Sequence, residues 1–89
     1  MRWTNDRAGY VIPDDISEEP YIVDLEDDII NTINAVIGFT HINYVSKDGM
    51  YLYFHEAGLF EEKLERNIRA SRFYGDDLYG NVVVMSRRI

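Results

Sequence analysis

Thr40-His41-Ile42-Asn43-Tyr44-Val45-Ser46-Lys47-Asp48-Gly49-Met50-Tyr51-Leu52-Tyr53-Phe54-His55 is the stretch that decides the fold. It reads as a β-hairpin, with β-branched and aromatic residues on both sides of a turn signal. Residues 40–46 form one strand and 50–55 the other. Lys47-Asp48-Gly49 suits a three-residue loop built on a type I turn, with Gly49 in the bulge position. That loop sets Ser46 opposite Met50, Tyr44 opposite Leu52 and Ile42 opposite Phe54. The other face then carries His41 beside His55, Asn43 beside Tyr53 and Val45 beside Tyr51. A four-residue loop sets His41 against Phe54 and Asn43 against Leu52, which mixes polar and apolar groups on both faces. The three-residue register is the expectation, because a slip of one residue inverts every side chain.

Upstream of the hairpin lies an amphipathic helix over 25–37. Ile29, Ile30, Ile33, Val36 and Ile37 make one stripe, Asp24 is placed to cap the start, and Gly38 to end it. Glu26, Asp27 and Asp28 sit in the first turn, where the helix dipole favours negative charge. Before the helix, Tyr10-Val11-Ile12, stopped by Pro13, and Tyr21-Ile22-Val23 read as short strands around an acidic loop at 14–20. Downstream, Phe60, Leu64 and Ile68 recur every four residues and suggest a helix within 59–72. A loop at 75–80 leads to a last strand at 81–86, whose Val82-Val83-Val84 reads as buried on both faces. The expected fold is α+β: a mostly antiparallel sheet of four or five strands with the 25–37 helix packed on one face. Residues 1–20 form an acidic arm and 21–86 the core of one domain, since 89 residues support a single hydrophobic core.

The chain has no cysteine, which excludes thiol nucleophiles, Cys-based zinc, iron–sulfur sites and disulfides. Such a small domain is only marginally stable alone, so a homo-oligomer is a reasonable expectation. The N-terminus lacks the apolar run of a secretory leader, and the longest aliphatic run, Val82 to Met85, is far too short to span a membrane. The expected location is the cytoplasm. The net charge of −7 is segregated: residues 1–28 hold nine acids and two bases, and 29–89 hold seven of each. Bulk nucleic-acid binding is disfavoured, because its affinity comes from Lys and Arg on phosphates.

Two stretches in the C-terminal half, with one that follows the hairpin, carry a resemblance. His55-Glu56-Ala57-Gly58, Asn67-Ile68-Arg69-Ala70-Ser71 and Leu78-Tyr79-Gly80-Asn81-Val82-Val83-Val84 resemble a small bacterial family, carried largely on phages and plasmids, that has no established activity. Its pattern is a helix, a hairpin ending in Glu-x-Gly, an Asn-x-x-Ala-Ser/Thr motif and a Gly-Asp/Asn-x-Val-Val strand. The likeness spans residues 26–86; the Gly-x-Pro often found between Gly and Asn is absent, with 59–66 in its place. The resemblance implies a mobile-element accessory protein and a fold, and it carries over no catalytic residue. Asn67 reads as an amide that hydrogen-bonds backbone, and Gly80 as room for a close backbone or a bulge.

Four groups are candidate sites, each with a plainer alternative. Tyr51, Tyr53, His41 and His55 on one sheet face suit a stacked base or a protein partner, unless a second layer covers them. His41 with His55 suits a metal or an acid/base pair, but no third ligand is evident, so no metal and no cofactor are expected. Arg66, Arg69 and Arg72 recur every three residues and suit phosphate recognition; the alternative is a solvated helix face balanced by Glu61, Glu62 and Glu65. Asp14, Asp15, Glu18 and Glu19, with the four acids at 24–28, place eight acids in fifteen positions and suit a basic groove on a protein. Helix capping already accounts for the second four. No Walker loop, Gly-x-Ser-x-Gly or His-Glu-x-x-His is present. The expected function is a non-enzymatic mobile-element protein that binds and blocks a host protein, a defence component among the candidates, through Asp14, Asp15, Glu18, Glu19, Tyr51 and Tyr53. The alternatives are a nucleotide-sequestering protein using the arginines, tyrosines and histidines, and an enzyme with carboxylates and His41 or His55 in acid/base roles.

Overall fold

The last strand of the sequence stands in the middle of the sheet. A computed structural model describes residues 8–24, 29–38, 42–55 and 64–86. In chain order the elements are β1 (Ala8–Ile12), β2 (Tyr21–Asp24), α1 (Ile29–Ile37), β3 (Ile42–Lys47), β4 (Met50–His55), α2 (Ile68–Tyr74) and β5 (Val82–Met85). The strands order as β2-β1-β5-β4-β3, and every neighbouring pair is antiparallel. All four residues of β5 are buried, as a central strand covered on both faces requires. The fold is α+β, as expected.

Alternation along the strands separates two cores. On one face Val11, Tyr53, Val83 and Met85 pack with Ile33 and Ile37 of α1. On the other Ile12, Leu52, Phe54, Val82 and Val84 pack with Ala70 of α2 and with Leu78. Each fully buried aliphatic side chain contributes about 1.5–3 kcal/mol. The helix expected at 25–37 packs on one face, as α1, and α2, which overlaps the helix expected within 59–72, covers the other. In α1 the stripe is narrower than expected: Ile30 is 56% exposed. Gly38 ends the helix at φ +83, as expected. Its start lies outside the described residues, and Asp24 stands as the last residue of β2, opposite Ala8.

The hairpin register differs from the expected one by one residue. Lys47 pairs with Met50, Ser46 with Tyr51, Val45 with Leu52, Tyr44 with Tyr53, Asn43 with Phe54 and Ile42 with His55. The loop is therefore two residues, Asp48 and Gly49, both at positive φ (+53 and +78). Two positive φ values make the mirror-image turn whose twist matches that of the flanking strands. The pairs Tyr44 with Leu52 and Ile42 with Phe54 do not form, and Val45 moves to the face opposite Tyr51.

The helix expected within 59–72 begins only at Ile68, because Asn67 caps it; residues 56–63 lie outside the described ones. Arg66 instead bridges to Tyr79 in antiparallel fashion, and the Gly80 amide donates to the Glu65 carbonyl at 2.8 Å. Gly80 serves this turn through its φ of +76. Close packing is not its reason, since a Cβ there would meet only Leu64 side-chain carbons at 3.7 Å.

Candidate functional site

The Asn-x-x-Ala-Ser motif is a structural joint. The Asn67 side chain is fully buried, and its Nδ2 donates to the carbonyls of Ile12 at 2.7 Å and Gly80 at 2.9 Å. Its Oδ1 accepts from the Ala70 amide at 3.1 Å, which caps α2. One amide thus joins the end of β1, the approach to β5 and the start of α2. Ala70 is small enough to reach the sheet and is fully buried. The Ser71 hydroxyl accepts from the Leu78 amide at 2.8 Å and lies 3.2 Å from its carbonyl. Buried polar groups must be paired, and Asn67 and Ser71 pair theirs with Ile12, Gly80, Ala70 and Leu78.

Arg69, a candidate phosphate ligand, is engaged with the acidic loop. Its Nη1 donates to the Glu18 carbonyl at 2.8 Å, and its Nη2 to the carbonyls of Pro13 at 2.8 Å and Asp15 at 3.0 Å. Three of its five N–H donors are therefore committed to backbone. Asn81 adds a second tie: its Oδ1 accepts from the Asp14 amide at 3.1 Å, and its Nδ2 donates to Val36 at the end of α1 at 3.1 Å. Within the loop the Asp15 carboxylate accepts from the Ser17 hydroxyl at 2.7 Å and the Ser17 amide at 2.9 Å. These bonds, the hydroxyl's first, hold the Asp15 carboxyl below its ordinary value of 3.8, and the nearby Arg69 charge acts the same way. The loop therefore has a built shape, with Asp15, Glu18 and Glu19 exposed along it and Asp14 half-buried.

The three arginines do not share a helix face. Arg66 precedes α2 and pairs with Asp77 at 2.8 Å on an exposed surface. Arg69 turns to the acidic loop, and Arg72 is exposed in the last turn of α2. No convergent guanidinium pair is formed.

The tyrosine face is also rearranged. The observed register places Tyr51, Tyr53 and His55 with Ile42 and Tyr44 rather than with Asn43 and Val45. This is the face that α1 covers: Tyr53 is 4% exposed, in the same core as Ile33 and Ile37. Tyr51 and His55 are half-buried, and Tyr44 is 37% exposed. The Tyr44 ring meets Tyr51 edge-on at 5.8 Å and Tyr53 tilted at 5.6 Å, so the rings pack on one another. His41 lies outside the described residues. Among the described residues no group of three His, Cys, Asp or Glu is placed to hold a metal ion, and no helix is long and apolar enough to cross a membrane.

One surface was missed in the sequence. β2 is a terminal strand, with Tyr21 at 46% and Ile22 at 63% exposure. It directly follows the acidic loop at 14–20. Between Arg7 and Lys47 the chain has no Lys or Arg, but eight acids. The signal was legible as that base-free run, which crosses β1, β2, α1 and all of β3 but Lys47.

No protein-family model matches the chain. No curated protein and no solved structure matches it either.

Proposed function

We propose that the chain is a small non-enzymatic accessory protein of a phage or other mobile element, which binds a basic surface of a host protein and blocks it. A component of host defence is one class of target in keeping with a mobile-element protein, which the family resemblance of residues 26–86 implies. The observation that carries the reading is the charge segregation: eight acids and no Lys or Arg from residue 8 to residue 46, with Asp15, Glu18 and Glu19 exposed on a loop of fixed shape. Such a surface steers a basic partner and repels acidic ones. Arg69 and Asn81 order the loop beforehand, so less entropy is lost on binding. Tyr51 supplies aromatic area beside Tyr44, whereas Tyr53 supports them from below.

The nucleotide-sequestering alternative has less support, since Arg69 is committed to carbonyls and Arg66 to Asp77. The test is capture from host lysate by the tagged protein, beside a Glu18→Lys/Glu19→Lys variant. A saturable partner that is retained at low salt, released at high salt and lost with the variant supports the reading. Recovery of no saturable protein partner overturns it.

A further inference from the structure

We propose that the strip of sheet beside α2, with Ile22 as its floor and Phe73 as its wall, docks a basic amphipathic helix of the partner protein. The inference rests on the binding role just proposed and names the surface that holds the partner.

α2 packs over β1, β5 and β4, with Ile12, Leu52, Phe54, Val82 and Val84 in its core. Five strands at about 4.8 Å spacing span about 19 Å, whereas neighbouring helices pack about 8–10 Å apart. One helix therefore leaves part of this face open, and the open part is at β2. Val23 packs in the α1 core, so Ile22 alternates to the α2 side. Its cross-strand pair Tyr10 packs against the α2 core, yet Ile22 itself is 63% exposed. Phe73, 41% exposed, stands four residues after Arg69 and so on the same flank of α2. Arg69 reaches the carbonyls of Pro13, Asp15 and Glu18, so that flank is turned to the β1–β2 connection. Ile16, 62% exposed, sits in the same connection. Three exposed apolar side chains thus border one strip, and Arg69 fixes the loop to the helix before a partner arrives.

Charge decides the occupant. Asp15, Glu18 and Glu19 are exposed along the connection. Of the three described arginines, Arg66 is paired with Asp77 and Arg69 is committed to carbonyls, which leaves Arg72, exposed on α2. A second copy docked face to face would bring three carboxylates from each copy to one free guanidinium, and that balance is unfavourable. A helix with an apolar stripe between Lys or Arg residues meets both features. It offers apolar area to Ile16, Ile22 and Phe73, and cations to the acidic rim.

The probe is a synthetic eighteen-residue peptide with Leu on one helical face and Lys on the other. Its controls are the same peptide with Glu for Lys, and one of the same composition scrambled so that no apolar face forms. Each is titrated into the full-length 15N-labelled protein. The expected result is saturable amide shifts centred on 15–22 and 69–74 with the Lys peptide alone. Phe73→Ser and, separately, Ile16→Ser/Ile22→Ser are each expected to weaken binding at least tenfold. Dispersed spectra verify that the variants fold, and because they lie on different elements either one carries the test. Equal binding of the scrambled peptide, shifts centred on Tyr44 and Tyr51 instead, or undiminished binding by the variants overturns the proposal. So does a dimer, seen by sedimentation without peptide, that is lost with Phe73→Ser; it identifies a second copy as the occupant. If a lysate partner is captured but the Lys peptide does not bind, or Phe73→Ser captures that partner undiminished, the docking strip falls and the binding role stands. If neither peptide nor lysate protein binds, both fall.

Discussion

The side-chain amide of Asn67 donates to the carbonyl of Ile12 over 2.7 Å, across fifty-five residues of sequence. The bond links the joint before α2 to the last residue of the strand that leads into the acidic loop. The same amide holds Gly80, so a single side chain positions the loop, the helix and the central strand.

Asn67→Ala removes two donors to buried carbonyls and the cap of α2 together. The expected loss is about 2–4 kcal/mol, a large part of the roughly 5–15 kcal/mol that holds a domain folded. Ser71→Ala strips the Leu78 amide of its acceptor and is expected to cost about 1–3 kcal/mol. Urea denaturation with an unchanged slope measures both. A loss under 0.5 kcal/mol for Asn67→Ala would show that water replaces the bonds.

The turn residues carry the register. Gly49→Ala puts a Cβ at φ +78 and is expected to cost about 1–2 kcal/mol. Asp48→Gly is tolerated, and Asp48→Pro is not, since proline cannot reach φ +53. Thermal unfolding ranks the three. Cross-strand NOEs between Tyr44 and Tyr53, rather than Tyr44 and Leu52, verify the pairing directly.

Asp15 has a pH signature. Its folded pKa is depressed, chiefly by the Ser17 hydroxyl and then by the Ser17 amide. A depressed carboxyl favours the folded loop above the unfolded value of 3.8, and that contribution is lost as pH falls through the lower folded value. Ser17→Ala is expected to move the Asp15 titration upward. A carbon-detected NMR titration of the carboxyl reads it, and an unmoved midpoint contradicts the assignment.

Arg69 is a test of fork geometry. Lysine has a single ammonium and cannot hold three carbonyls in one plane, so Arg69→Lys is expected to recover little of the loss from Arg69→Ala. Both variants should speed amide exchange across 14–18 while leaving β5 protected. A thermal-shift series with nucleoside phosphates is expected to give no stabilisation of the parent protein. A shift that grows with ligand excess would revive the phosphate reading.

The strands, α1 and the buried β5 were legible because β-branched runs and a 3.6-residue stripe are local signals. The register was not, for a physical reason. Both faces of this hairpin are covered, with Ile42, Tyr51 and Tyr53 against one layer and Val45, Leu52 and Phe54 against the other. Apolar pairing then cannot tell one register from its neighbour, and only the Asp48-Gly49 dipeptide carried the answer. The start of α2 was obscured similarly: Leu64 and Ile68 mimic a helical stripe, but Asn67 interrupts it as a cap. Arg69's partners left no trace in the sequence, because they are backbone carbonyls.

β5 lies between β1 and β4, yet it follows all the other described elements along the chain. During synthesis, β1 with β2 and β3 with β4 can each form as a separate hairpin, but neither is joined to the other until residues 82–85 have emerged. Until then the edges of β1 and β4 that β5 will occupy have no strand to pair with. Completion of the sheet therefore waits on one wholly buried strand, which borders both cores.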